Sequence, residues 1–285
     1  MKKTWLITGV SSGLGRLLAE KALTRGDRVL GTSRNADALA ELRRAYPNRL
    51  RILAVDLQDE GSVRTAVDDA FGGSGRIDIV VSNAGYGLLG AAEEASDSQV
   101  RDIIDTNLIG AIALIRAVLP HLRRQGGGRI LQVSSEGGQI AYPGFSLYHA
   151  TKWGIEGFVE AVAQEIAPFG IEITLVEPGP ARTGFGNNLA RTEPLASYAE
   201  TPAGSLRDAL GDGAWTIKGD PDRMTDAMMD LADHGGPLPK RLVLGTDAYA
   251  NVRSVLLERL DELDRQKHIS LAADFTEAEL TNLKP

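Results

Sequence analysis

Seven short runs of β-branched and apolar residues recur along this 285-residue chain, and stretches with helical spacing separate most of them. That alternation restricts the fold more than any other feature. The runs are Thr4–Thr8, Arg28–Ser33, Leu50–Val55, Ile77–Ser82, Arg129–Val133, Glu172–Glu177 and Arg241–Leu244. Between them, Leu14, Leu17, Leu18 and Ala22 fall on one helical face until Gly26 stops the pattern. Further helices are expected over Ala36–Ala45, Glu60–Phe71, Gln99–Arg123, Ser146–Ala167, Asp222–Asp233 and Asp247–Lys267, with a flexible Gly72-Gly73-Ser74-Gly75 after the third. Near-continuous apolar strands alternating with helices fit a parallel sheet covered on both faces, joined by right-handed crossovers. The expected fold is therefore α/β, a doubly wound parallel sheet.

After Pro178 the regularity fails. Residues 179–218 carry Gly, Pro, Asn and Thr with scattered aromatics, a composition suited to a loop or small helices over a site. With no repeat, linker or low-complexity tract, residues 1–285 read as one domain with a lid at about 180–218 and a C-terminal extension from about 246.

Lys and Arg number 31 against 38 Asp and Glu, a net charge of −7, so no basic field exists to collect nucleic acid or anionic lipid. The absence of cysteine removes disulfides, thiolate nucleophiles and zinc-thiolate sites, and fits a reduced cytoplasmic setting. The apolar run after Lys3 is too short for a signal-peptide core, and no stretch reads as long enough to span a bilayer.

Thr8-Gly9-Val10-Ser11-Ser12-Gly13-Leu14-Gly15 joins the first strand to the first helix, where backbone N–H groups at a helix N-terminus can receive a pyrophosphate. The spacing Gly-x3-Gly-x-Gly differs from the commoner Gly-x-Gly-x-x-Gly fingerprint, and a tight turn without ligand is the competing reading. At the end of the second strand the chain reads Ser33-Arg34, with no acidic residue to bind a ribose 2′-hydroxyl. A guanidinium there suits a 2′-phosphate, so NADP(H) is favoured over NAD(H). Asp56-Leu57 and Asn83-Ala84-Gly85 also lie at carboxyl ends of strands, where ligands bind in open α/β sheets.

Tyr148 and Lys152 are four residues apart in a helical stretch and share a face. A cation near a phenol favours phenolate and moves its pKa toward neutrality, which would make Tyr148 a general acid/base for a carbonyl or alcohol. Ser135, thirteen residues earlier and just past a strand end, can donate to a substrate oxygen, with Ser134 the competing candidate.

Thr8-Gly9-x3-Gly13-x-Gly15, Asn83-Ala84-Gly85, Asn107, Ser135, Tyr148-x3-Lys152 and Pro178-Gly179 together resemble the short-chain dehydrogenase/reductase family, over about residues 4 to 183. The resemblance implies a Rossmann-type sheet of about seven strands, a nicotinamide cofactor and a catalytic tetrad of Asn107, Ser135, Tyr148 and Lys152. It implies that Tyr148 gives its proton to a carbonyl oxygen polarised by Ser135. Lys152 then binds the nicotinamide ribose, and Asn107 holds a water on the proton path. Ala181 and Thr183, in the segment after Pro178-Gly179, resemble residues that pack on the nicotinamide. The long tail, with Gly219-Asp220-Pro221 and Leu244-Gly245-Thr246, resembles the 17β-hydroxysteroid and retinol dehydrogenase branch.

The expected activity is NADP(H)-dependent interconversion of a ketone or aldehyde with its alcohol. An NAD-dependent alcohol dehydrogenase and a non-catalytic NADP(H) sensor stay open as alternatives. Tyr142, Phe145, Phe185 and Trp215 would give the pocket a fairly apolar lining. The resemblance also implies a homodimer or homotetramer through the two long helices. No metal site is expected from the widely spaced His121, His149, His234 and His268, which read as surface or core residues. Glu93-Glu94 reads as a solvated acidic turn, Met224, Met228 and Met229 as packing, and Glu258–Lys267 as an exposed charged face.

Overall fold

The computed structural model describes residues 2–211 and 216–282. In chain order the elements are β1 (Thr4–Thr8), α1 (Gly13–Arg25), β2 (Arg28–Ser33), α2 (Ala40–Ala45), β3 (Leu50–Ala54), α3 (Glu60–Ser74), β4 (Ile79–Ser82) and β5 (Leu88–Leu89). There follow α4 (Asp97–Ile104), α5 (Gly110–Arg124), β6 (Gly128–Val133), α6 (Ser146–Ile166), β7 (Ile171–Pro178) and β8 (Ala190–Arg191). The chain continues with α7 (Pro202–Gly211), α8 (Pro221–Asp233), β9 (Arg241–Leu244), α9 (Thr246–Arg265), α10 (Lys267–Ala272) and α11 (Glu277–Asn282).

The central sheet has seven parallel strands in the order β3-β2-β1-β4-β6-β7-β9. Strand order reverses between β1 and β4, which opens a crevice at their carboxyl ends. Both faces are buried. Leu6, Leu30, Val80 and Ile130 pack against α3, α5 and α6, while Trp5, Ile7, Val29, Val81 and Leu131 pack against α1, α2 and α8. Each strand thus offers apolar residues at consecutive positions, the pattern of a two-sided parallel sheet.

Helix ends follow local chemistry. Asp59 caps α3 by accepting from Gly61 and Ser62 N–H, Asp220 caps α8 ahead of Pro221, and Gly26 closes α1 at φ 96°. The glycines at 72–73 do not form a flexible linker: α3 runs through them to Ser74, because its buried face of Val63, Ala66, Val67, Ala70 and Phe71 holds the helix in place. Met228 and Met229 are buried between α8 and the sheet, and Met224 is buried against Gly219.

The segment Asp97–Arg124 is helical throughout and contains a π-helical turn at Asp105–Ile109. Contrary to the sequence expectation, it is long and apolar enough to cross a bilayer. Its apolar side is spent differently, with Ile103, Ala111, Leu114, Ile115, Val118 and Leu122 buried within this layer.

Residues 179–211 and 216–218 carry short elements, including the small helices expected from sequence. β8 pairs with β5 in a separate two-stranded parallel ribbon, and α7 follows it. Trp215, expected among the pocket residues, lies outside the described residues.

Candidate active site

The turn after β1 is built to leave backbone N–H groups exposed to a ligand. Gly9 and Gly13 adopt φ 73° and 58°, the left-handed region that glycine enters without strain. The Gly9 and Val10 N–H groups are consumed by the Thr32 carbonyl, both at 3.1 Å. The opening N–H groups of α1 have no intrahelical acceptor, and Ser12 at the N-cap makes no side-chain cap to them. A Cβ at Gly13 would find nothing nearer than the Thr183 Cβ at 3.9 Å, so the space above the turn is open and Thr183 stands across it. Ser11, Ser12, Leu14 and Gly15 complete the cradle that an anionic pyrophosphate would need.

Gly15 is required for a different reason. A Cβ there would lie 2.4 Å from both the Asn83 Nδ2 and the Gly9 carbonyl. Asn83 is a structural tie: its Nδ2 donates to the Thr8 carbonyl at 2.9 Å, and the Asn83 and Ala84 N–H groups donate to the Thr8 hydroxyl. The end of β4 is thereby locked to the glycine turn. Gly85 is equally constrained, since a Cβ would meet Asn107 Oδ1 at 3.0 Å.

Along the same edge, the Ser33 hydroxyl is engaged in its own loop, bonding Asn35 O and N–H, whereas Arg34 is exposed with no ion pair among the described residues. Asp56 is exposed and accepts from Gln58 N–H, while the Leu57 side chain belongs to the core. Gly179 N–H bonds Leu244 O, and Ala181 bridges Gly219. The start of α1 and the exposed Arg34 thus lie along one sheet edge at the switch point, a donor set that fits an extended anionic ligand such as a dinucleotide.

Ser135 follows β6, and Tyr148 and Lys152 lie on α6; all three are buried. The Ser135 hydroxyl accepts from Gly137 N–H at 3.1 Å and faces the Pro178 carbonyl at 3.5 Å. Ser134, the alternative serine, instead donates to Glu156 Oε1 at 2.6 Å and points away from the phenol. The Lys152 Nζ donates to Val133 O at 3.1 Å and sits 5.5 Å from the Tyr148 ring centroid. Asn107, on the π turn, accepts from Tyr86 N–H at 3.0 Å and donates to Tyr86 O at 2.7 Å and Thr151 Oγ1 at 3.4 Å. An extra residue in that helical turn aims Asn107 at the loop after Asn83-Ala84-Gly85.

The electrostatics differ from the sequence expectation. Burial pushes the Tyr148 phenol up to about 12; the Ser135 hydroxyl opposes the rise and the Glu136 carboxyl adds to it. Burial pulls the Lys152 ammonium down to about 8, against the pull of the Glu156 carboxylate. The lysine lies over the ring and donates to a backbone carbonyl, so its charge does not outweigh the cost of burying phenolate. Tyr148 is a neutral phenol at neutral pH.

One side of the Tyr148 ring is apolar. Leu88, Leu89, Ile103, Phe145 and Tyr148 form a third cluster, flanked by Tyr142, Leu189 and Leu206. Phe185 stands with its ring 6.0 Å from Tyr148, and Phe145 meets Tyr148 and Tyr142 edge-on. His149 is a core residue: it donates from Nδ1 to Gly137 O at 2.8 Å and accepts Tyr142 N–H on Nε2 at 3.2 Å, and burial lowers its pKa. A cavity of about 290 Å³ lies beside Gly179-Pro180, between Glu136, Met224 and Asn251.

Two groups of residues were missed from sequence. Beneath the Ser135 turn, Arg241 bonds the carboxylates of Glu156, Glu160 and Glu177, and Gln139 donates to Glu177. The Glu156–Lys152 spacing of one helical turn was the available signal. Glu94 corrects the solvated reading, because its side chain is fully buried. It accepts from Ala91 N–H at 2.8 Å, Leu195 N–H at 3.0 Å, Thr192 at 3.1 Å and Arg207. Burial alone would raise its pKa, but Arg207 and these donors hold it at about 2. Glu93 is exposed and accepts from Tyr198.

A sequence model described as short chain dehydrogenase matches residues 3–194. The chain belongs to the short-chain dehydrogenase/reductase family. It is 36% identical over 276 residues to an oxidoreductase, BOA17, of Botryotinia fuckeliana, covering 96% of this chain and all of that one. To human 17-beta-hydroxysteroid dehydrogenase type 1 it is 36% identical over 189 residues, 63% of this chain and 57% of the other. A crystal structure of a short-chain dehydrogenase from Streptomyces avermitilis superposes with a TM-score of 0.88 at 38% identity, covering 96% and 98% of the two chains. A 3-ketoacyl-(acyl-carrier-protein) reductase from Brucella melitensis complexed with NADH superposes at 0.71 with 25% identity, over 85% of this chain and 96% of that one. The protein is thus an oxidoreductase of this family, with the fold of enzymes that bind a nicotinamide cofactor.

Proposed function

We propose that the protein is an NADP(H)-dependent reductase that interconverts a fairly apolar ketone or aldehyde with its alcohol. The observation that carries the reading is the buried Tyr148 phenol with the buried Ser135 hydroxyl beside it and Lys152 one helical turn away. When bound, the cofactor supplies a hydride to the carbonyl carbon or accepts one from the alcohol carbon. The neutral phenol is the right state to protonate the carbonyl oxygen as it gains electrons, and Ser135 donates a hydrogen bond that stabilises the same developing charge. The resulting Tyr148 phenolate is stabilised by cationic Lys152, and Asn107 orders the route by which a proton returns. Gly9, Ser11 to Gly15, Ser33, Arg34, Asp56, Leu57, Asn83 to Gly85, Pro178, Gly179, Ala181 and Thr183 would hold the cofactor, with Lys152 and Tyr148 at its ribose.

Arg34, exposed and without an ion pair among the described residues, supports NADP(H) over NAD(H). Arg34→Ala should weaken NADPH binding about tenfold or more, as expected for lost charge-assisted hydrogen bonds, and leave NADH unchanged. Equal effects on both cofactors would favour the NAD-dependent alternative. The apolar wall around Phe145 and Leu206 supports a largely apolar substrate, as does kinship with an enzyme named for hydroxysteroids. The same reading places the enzyme in the cytoplasm as a homo-oligomer.

The deciding experiment is NADPH and NADH oxidation by wild type and Tyr148→Phe over aliphatic, aromatic and polycyclic ketones. Turnover that falls about a thousandfold in the variant, with cofactor binding retained, is the expected result. A variant that keeps most of its activity sinks the mechanism, and binding without turnover on any ketone returns the sensor reading.

A further inference from the structure

Nine of the fourteen large apolar side chains exposed among the described residues fall between 249 and 280: Tyr249, Leu256, Leu257, Leu260, Leu263, Ile269, Leu271, Phe275 and Leu280. The root of α9 is anchored, with Ala248 and Val252 buried, but from Leu256 onward every side chain of described exposure is open to solvent. Leu256, Leu260 and Leu263 fall at i, i+4 and i+7, one heptad after Tyr249, and form a continuous stripe with Leu257 alongside. A helix carrying such a stripe gains its stability by covering it.

We propose that this stripe is the contact between two copies of the chain, with the C-terminal arms packed on each other across a two-fold axis. This deepens the homo-oligomer part of the functional reading but does not depend on the catalytic one. Each of the nine side chains exposes about half of its surface or more, so the arm can supply apolar area on the order of the roughly 800 Å² per partner of a standard stable interface. Residues 253–282 carry seven acidic and four basic side chains, which argues against a lipid surface, since helices that lie on membranes carry Lys and Arg on their polar face. The other exposed large apolar residues described, Ile109, Trp153, Phe169, Phe185 and Leu195, are spread over separate elements and offer no matching stripe. The arm's own stripe is the apolar surface able to cover it, and a two-fold axis brings two identical patches together.

The arm is also wired to the catalytic turn. From α9, Asn251 donates to Glu136 at 3.2 Å, and Arg259 donates to Gln139 O at 2.7 Å while stacking 4.5 Å above Trp153. Pairing the arms therefore braces the segment that carries Ser135.

Light scattering after size-exclusion chromatography, from tens of micromolar to tens of nanomolar, tests the proposal on the full chain. Wild type should be a dimer or a multiple of one, and Leu256→Gln/Leu260→Gln/Leu263→Gln should dissociate at least a hundredfold more readily with unchanged circular dichroism. Because the chain has no cysteine, Leu260→Cys supplies an independent probe: mild oxidation should link two chains covalently. A monomeric wild type overturns both the arm contact and the oligomer reading. A wild-type oligomer that survives the triple substitution, with no cross-link through residue 260, overturns the arm contact alone.

Discussion

At the scale of single residues, protonation states decide what the site can do. Lys152 is cationic below about pH 8 and neutral above it, so the charge that steadies a Tyr148 phenolate disappears on the alkaline side. Reductive kcat/KM should therefore be level below that point and fall about tenfold per unit above it, and Lys152→Arg, which keeps its charge, should remove that break from the pH profile. An unchanged break in the variant would assign it to another group. Gly15→Ala tests the other end of the groove. With a new methyl 2.4 Å from Asn83 and from the Gly9 carbonyl, cofactor affinity and thermal stability should fall together. Ser135, Tyr148, Lys152 and the glycines were legible because each lies in a local spacing motif. Their pKa values were not, since burial is a property of everything packed around them.

At the scale of elements, the seven strands of the main sheet were visible as apolar runs, whereas the π turn at Asp105–Ile109 left no sequence mark. A buried carboxylate ties the segment after β8 to the rest of the fold. Glu94 joins the start of the helical layer to β8, the chain after it and α7, through partners up to 113 residues away. Glu94→Ala would strand the Arg207 charge and the donors of Ala91 and Leu195. An unfolding free energy lower by about 2–3 kcal/mol is expected by denaturant titration. Limited proteolysis between residues 190 and 211 should accelerate as well. If cleavage there is unchanged, Glu94 stabilises the fold without latching that segment. The Glu156–Arg241–Glu177 cluster ties β7, β9 and α6 beneath Ser135 in the same manner.

At the scale of the whole molecule, these buried carboxylates set the response to acid. Glu94 has a depressed pKa, so its stabilising contribution is complete above its usual value of 4.5 and is lost as pH falls toward about 2. Glu136 and Glu177, both raised chiefly by burial, act in the opposite sense and favour the folded state as they take up protons. The stability of Glu94→Gln measured from pH 6 to pH 2 should accordingly fall less steeply than that of wild type; parallel curves would mean that Glu94 is not the acid-sensitive link. The sequence alone determined the α/β class and the crevice at the strand ends, and singled out the candidate site side chains, because hydrophobic period and motif spacing are local and survive in a linear string. Only the tertiary structure decided that Glu94 is buried rather than solvated, that Arg241 joins three carboxylates, that Tyr148 stays neutral and that the C-terminal leucines face outward. Each of those outcomes depends on which distant segments exclude water from a group, and that is settled when the chain packs.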